Sequence, residues 1–384
     1  MKHISYILAP LMLLFTSCIY PFEPEGIKET SGIIVIEGDI IAGGTSFFLI
    51  SYSQELTDIT TLKSIVHAKV SVESSSGEVI QGRITYRNSQ NGFNIDTRNL
   101  DIDQKYRLSV LMNDGEQYYS TWQTVEISPE IDSLSFYPDE TNEVMRFYVS
   151  THGDDNQRYY KWTYKEDWEY HSHYNSFFFY DYATDAVYEY PGTMNRYYCW
   201  NNDYSTSIMV TNTKDLTDNR LINHEIYSVG RTNNKISYIY SVEVYQQVIS
   251  EEAYTYWVTL SKNSDDAGGL FSPQPSELRG NIYCAGDSTK PVLGYVGAST
   301  VTSKRIFVDQ RKTLFWRRTE DCDAPMILSS LDWRKYYNYG YDVVDKVEEG
   351  MGVFSVYWAP VRCVDCTKKG GTKLKPSFWP NDHI

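Results

Sequence analysis

From Gly32 onward, apolar and polar positions alternate in short runs broken by turn residues. Ile33-Ile34-Val35-Ile36-Glu37-Gly38 is an apolar run ended by glycine, and Phe47-Phe48-Leu49-Ile50-Ser51-Tyr52 follows a Gly43-Gly44 turn. Ala68–Glu73 alternates cleanly and is turned by Ser76-Gly77. Tyr106–Val110 alternates again, Asn113-Asp114-Gly115 is a strong hairpin signal, and Tyr118–Trp122 is the return. Period-two runs between such turns predict strands. Their close spacing predicts a β-sandwich of about 100 residues of immunoglobulin or transthyretin type. Turn signals place it at residues 32–127.

Ser128-Pro129-Glu130-Ile131 reads as a boundary, and a larger β-rich domain is expected over residues 128–384. Its strands are predicted at Ser133–Phe136, Met145–Val149, Tyr159–Tyr170 and Ile236–Val248, the last with Tyr238, Tyr240, Val242 and Val244 on one face. Later strands are expected at Leu293–Ala298 and Arg305–Val308. One short helix is predicted from Glu251 to about Leu260, with Ser250 as its N-cap and Glu251 and Glu252 at the positive end of its dipole. The last 65 or so residues, rich in turn formers, read as a loop-rich tail.

The first residues carry a different signal. Met1-Lys2-His3 precedes an apolar run from Ile4 to Phe15, which ends in Phe15-Thr16-Ser17-Cys18. The run falls short of the roughly 20 apolar residues that span a bilayer. It has the layout of a secretory signal, with small residues before the cut. The cysteine in that place predicts a bacterial lipoprotein signal over residues 1–17, with Cys18 the lipidated first residue of the mature chain. Several acyl chains on one residue anchor far better than one. Residues 18–31, with Pro21, Pro24, Glu23 and Glu25, read as an extended acidic tether. Acidic residues just after the lipidated cysteine resemble the surface-export signal of Bacteroidota lipoproteins, and that resemblance implies an outer-membrane, cell-surface address, with the periplasmic leaflet as the alternative.

Composition narrows the function. With 35 Lys and Arg against 50 Asp and Glu, the net charge is −15. That disfavours nucleic acid, whose phosphates require a basic face. The chain carries 34 Tyr, 9 Trp and 15 Phe. Such residues favour strands and half-wet binding surfaces. The densest stretch, Tyr159–Trp200, holds 17 aromatics in 42 residues. One strand pair cannot bury them all, so an exposed cluster is expected. Trp162, Trp168, Tyr174, Tyr180, Tyr182 and Tyr188 are the candidate ligand-binding residues for a glycan or peptide, with Asp154, Asp155, Asp181, Asp185 and Glu189 nearby as polar contacts.

Beyond Cys18, the cysteines are Cys199, Cys284, Cys322, Cys363 and Cys366. An odd number leaves at least one thiol unbridged within the chain. Cys363-Val364-Asp365-Cys366 lacks the βαβ setting of a redox dithiol and the second ligand pair of a zinc site. Structural disulfides suit an exported chain, and Cys322 with Cys363 or Cys366 is the expected pairing. Glu169, His171 and His173 share a face if their segment is a strand, but they are too few to define a metal site. No nucleophile elbow, zinc helix or phosphate loop is present. No catalytic residue, cofactor or metal is assigned, and the chain reads as a non-enzyme.

Several segments together resemble a known family. They are Cys18 with its acidic tether, Ile34–Gly38, Cys199-Trp200, Gly269-Leu270-Phe271-Ser272-Pro273-Gln274-Pro275-Ser276 with Arg279–Ile282, and Val292–Tyr295. Cys363–Cys366, Gly370-Gly371-Thr372, Pro376 and Phe378-Trp379 complete the set. The pattern resembles an uncharacterised family of Bacteroidota outer-membrane lipoproteins, a domain of unknown function whose members are often encoded beside TonB-dependent receptors. The resemblance implies an accessory protein of a TonB-dependent nutrient-uptake system, binding ligand or the receptor barrel. A structural or assembly lipoprotein without a small ligand is the alternative, and a surface hydrolase ranks last. The lipoprotein reading predicts that Cys18→Ser moves the chain from the membrane pellet to the soluble fraction on cell fractionation. A variant that still pellets with outer membranes would refute the lipid anchor.

Overall fold

The computed structural model describes residues 32–54, 64–87, 90–191, 196–265, 278–317 and 322–380. The signal segment, Cys18, the tether and Gly269–Ser276 lie outside them. The chain is mainly β, as its alternation predicts, and is built of face-to-face sheets.

In the first sandwich, one sheet orders Val292–Leu293, Ile34–Glu37, Gly44–Tyr52, Gln90–Thr97 and Arg83–Arg87. The facing sheet orders Ile282–Cys284, Gln117–Ser120, Lys105–Met112, Ala68–Ser74 and Val79–Gln81. Alternate residues meet between them: Ile34, Ile36, Phe48, Ile50, Phe93 and Ile95 from one, Val70, Val72, Leu108, Val110 and Tyr118 from the other. The Asn113–Gly115 hairpin forms as its sequence predicts. Gly115 adopts a positive φ, and its N–H donates to the Met112 carbonyl at 3.1 Å.

Residues 282–300, read from sequence as part of the second domain, complete this first sandwich. Val292–Leu293 pairs in parallel with Ile34–Glu37, and Ala298–Thr300 with Ile40–Ala42. The strand expected over Leu293–Ala298 is therefore interrupted. Gly294 takes φ +134°, and a Cβ there would stand 2.1 Å from the Ile36 carbonyl oxygen. Gly280 packs on Gly294 so closely that a Cβ would collide with its backbone. Asn281 holds the chain just past the break, accepting from the Val296 N–H and donating to its carbonyl, each at 2.8 Å.

The second sandwich sets Ile131–Asp139, Val144–His152 and Arg220–Gly230 against Tyr198–Tyr204, Tyr159–His171, Ile239–Val248 and Thr302–Asp309. Its core holds Phe147, Val149, Tyr160, Trp162, Tyr240, Val242 and Val244. The helix spans Glu251–Asp265, and Ser250 Oγ accepts from the Ala253 N–H at 3.2 Å, as an N-cap does. The other helices are single turns or little more.

The tail is more ordered than its turn formers suggest. Tyr341–Gly350 and Val353–Pro360 form a hairpin flanked by Met326–Ile327. Its buried Val343, Val356 and Trp358 pack on Tyr180 and Val187 of a second hairpin. Cys322 bridges Cys363, whereas Cys366 bridges Cys199, a partner the sequence reading did not choose. The adjacent pair thus fastens the tail at two separate points, and Cys284 is buried and unbridged.

The glycine break predicts that Gly294→Ala destabilises the fold by about 2–4 kcal/mol through backbone clash and a disallowed φ. Urea denaturation that leaves the midpoint unmoved would contradict the observed packing.

Candidate functional site

Strand alternation decides which aromatics reach a surface. In Tyr159–His171 the even positions Tyr160 and Trp162 point into the second core. Trp162 is 1% exposed, stacks on Tyr160 at 5.7 Å, and donates its indole N–H to Gln246 Oε1 at 3.0 Å. It cannot touch an external ligand. Tyr180 is likewise enclosed in the third core. Trp168 is half-buried with Lys235 Nζ 5.0 Å from its ring centre, and Tyr174 braces the tail by donating to the Asp323 carbonyl at 2.9 Å. Tyr182 and Tyr188 alone of the six are exposed. The candidate set is thus divided among a core, a brace and a hairpin surface. The acidic neighbours serve local turns: Asp154 accepts from the Asn156 N–H, Asp181 from the Ala183 N–H, and Asp155 pairs with Arg158.

The odd positions of the same strand face outward and meet other parts of the chain. Lys161 pairs with Asp39 of the first sandwich, each side chain only 12% exposed. Asp39 also accepts the Gly297 N–H at 3.0 Å. Asp167 is held by Lys165 at 2.9 Å and Arg305 at 3.1 Å. Glu169, fully buried, accepts from the Trp379 indole at 2.8 Å and bonds His171 Nε2 at 3.0 Å. The predicted shared face of Glu169 and His171 is thus real, and it serves a packed contact. His173 joins His171, Tyr170, Tyr197 and Tyr238 around a recess of about 280 Å³. Among the described residues, no three His, Cys, Asp or Glu side chains group to hold a metal.

Among the described residues, a large opening lies between the two sandwiches. In Ile34–Glu37, Val35 and Glu37 point away from the first core, as Phe47 and Leu49 do in the neighbouring strand. They face Thr163, Tyr245 and Gln247 on the outward side of the second sandwich, across a cleft of about 730 Å³. Tyr256, Trp257 and Leu260 of the helix close one side. Lys161 Nζ lies 4.5 Å from the Trp257 ring centre, so the Asp39–Lys161 pair and this ring form one corner. At another, the Arg87 guanidinium covers Phe47 and Tyr204, at 5.2 Å and 5.1 Å.

Burial pushes the Tyr256 and Tyr164 phenols up to about 12, and it raises Tyr245 further beside Glu243. These rings stay neutral and keep their protons for hydrogen bonding. Surrounding protein also raises the Glu37 carboxyl, although its side chain remains partly exposed to the cleft. The arrangement can hold an amphipathic molecule against aromatic faces. Its volume lies in the range of small-molecule sites.

Sequence reasoning missed this cleft because it looked for one local cluster. One signal was available: Ile33–Ile36 is apolar at successive positions, and a strand apolar on both faces is covered on both.

The molecule is a mainly β protein of stacked sandwiches whose candidate site lies between them. The chain belongs to the family described as Domain of unknown function (DUF4249), which matches residues 19–305. No curated protein matches it. The Cys363–Cys366 and Phe378-Trp379 segments fall beyond the matched span.

The Asp39–Lys161 contact predicts that Asp39→Ala costs about 2–3 kcal/mol, because it leaves a largely buried ammonium unpaired. Asp39→Ala/Lys161→Met recovers most of that loss. Equal destabilisation of the single and double variants in thermal melts would count against the pairing.

Proposed function

We propose that the chain is a lipid-anchored accessory protein of a TonB-dependent nutrient-uptake system on the outer membrane of a member of the Bacteroidota. Cys18 holds it there, facing the cell surface, and the inter-sandwich cleft holds the ligand. The single observation that carries this reading is the cleft itself: a volume of about 730 Å³ with apolar walls and neutral aromatic rings. Such rings stack on sugars and on peptide side chains. Among the described residues, no helix is long and apolar enough to cross a membrane.

One observation favours the second reading, a structural or assembly lipoprotein. Met351, Val353 and Phe354, at the turn of the tail hairpin, are exposed together with Val347. Exposed apolar clusters mark protein contacts.

Gentle detergent extraction of the native protein from its own outer membrane, with mass spectrometry of what accompanies it, separates the two. The uptake reading expects a TonB-dependent receptor in stoichiometric amount. Recovery of assembly machinery, or of the chain alone, would overturn it.

A further inference from the structure

We propose that the inter-sandwich cleft takes a ligand with an amine or guanidinium cation on an apolar or aromatic body, the cation seated on Glu37. This inference rests on the cleft as the binding site and narrows its occupant from glycan or peptide to a basic, peptide-like ligand.

The argument begins with the charges that line the cleft. Asp39 and Lys161 neutralise each other, and both are largely covered. Arg87 lies on the edge strand Arg83–Arg87, three strand spacings from Ile34–Glu37 in the sheet order. Its guanidinium reaches across to Phe47 on the strand Gly44–Tyr52, where its charge already covers two rings. Glu37 differs from these. Among the described residues, its carboxylate enters no hydrogen bond or ion pair, and it is exposed on the cleft. An exposed carboxylate that lines a cleft and lacks a counter-charge gains from an incoming cation through a charge-assisted hydrogen bond.

The neighbouring rings add a second term. Tyr256 is close enough to Glu37 that the carboxylate raises its phenol, and Tyr295 packs on Tyr256 at 5.5 Å between ring centres. The adjacent Trp257 already carries one cation, Lys161, over its ring. Tyr256 and Tyr295 are themselves buried and back Trp257, the helix ring that lines the cleft with this carboxylate; a ring and a carboxylate together are usual elements of organic-cation recognition. A neutral sugar would donate hydroxyls to Glu37 but leave its charge uncompensated.

The probes are tryptamine, a cation, and indole-3-propionate, an anion with the same ring. Each is equilibrated by dialysis against the full chain in detergent, with empty micelles as the blank. The expected result is tryptamine binding about tenfold tighter than indole-3-propionate, with Glu37→Gln removing the preference. Trp257→Ala should weaken both probes. Tryptamine affinity should also fall with pH, beginning above the ordinary glutamate range, because protonation of a raised carboxyl removes the counter-charge. Glu37 is partly exposed, so Glu37→Gln is expected to fold, and an unchanged melting curve checks this.

Two failures are distinguishable. If Trp257→Ala weakens tryptamine but Glu37→Gln does not, the cleft stands as the site and the cation assignment is overturned. If tryptamine binds and Trp257→Ala has no effect, binding is elsewhere, and the cleft reading falls with it. Equal affinity for both probes, or no binding of tryptamine above the micelle blank, also overturns the cation assignment.

Discussion

The pairing of charges on the outward face of Tyr159–His171 is the constraint on which the rest of the structure depends. The inward face of this strand is fixed by the second core, through Tyr160 and Trp162. Its outward face carries Lys161, Lys165, Asp167 and Glu169, and these meet protein more than water. A buried charge without a partner costs several kcal/mol, so each must be answered by another group. Asp39 answers Lys161, Arg305 and Lys165 answer Asp167, and Trp379 with His171 answers Glu169. One strand thereby binds the first sandwich at one end and the extreme tail at the other.

The connections follow from that arrangement. To reach Lys161, the Asp39 turn is fixed by Gly297, on the segment that returns from the second sandwich to complete the first. The return needs backbone to lie against backbone, which Gly280 and Gly294 permit. At the other end, Thr372 exchanges hydrogen bonds with Trp200, and Gly371 lies against the Tyr170 hydroxyl where a Cβ would stand 2.3 Å away. The Cys199–Cys366 disulfide secures the same seam. Gly280, Gly294, Gly371, Cys199 and Cys366, which are among the residues that carried the family resemblance, are thus explained by packing. Where the two sandwiches are held apart by strand and helix side chains, the cleft remains.

The separation of stability from binding is clearest in the aromatics. Most of the excess Tyr and Trp that marked the sequence is spent on cores and seams: Phe147 stacks on Tyr227 and Tyr164 on the same ring. The cleft draws its rings singly from distant strands and the helix, Phe47, Tyr204, Tyr245, Tyr256 and Trp257. A density of aromatics along the chain measures strand content, whereas a binding surface needs rings brought together from far apart. This is why Trp162 and Tyr180 proved to be core, while Phe47 and Tyr245, from outside that stretch, line the cleft.

What the sequence determined by itself was local. Alternation and turn residues fixed the mainly β class, the Asn113–Gly115 hairpin and the strand Tyr159–His171, because side-chain period and turn stereochemistry act over a few residues. The Ser250 cap and the odd cysteine count were legible for the same reason. Tertiary structure alone decided that residues 282–300 complete the first sandwich, that Cys366 pairs with Cys199, that the tail folds into a hairpin, and that a cleft opens between sandwiches. Each of these depends on contacts between residues far apart in the chain. Which distant strand an edge accepts is set by the summed burial and charge pairing of the whole fold, and no local pattern encodes that sum.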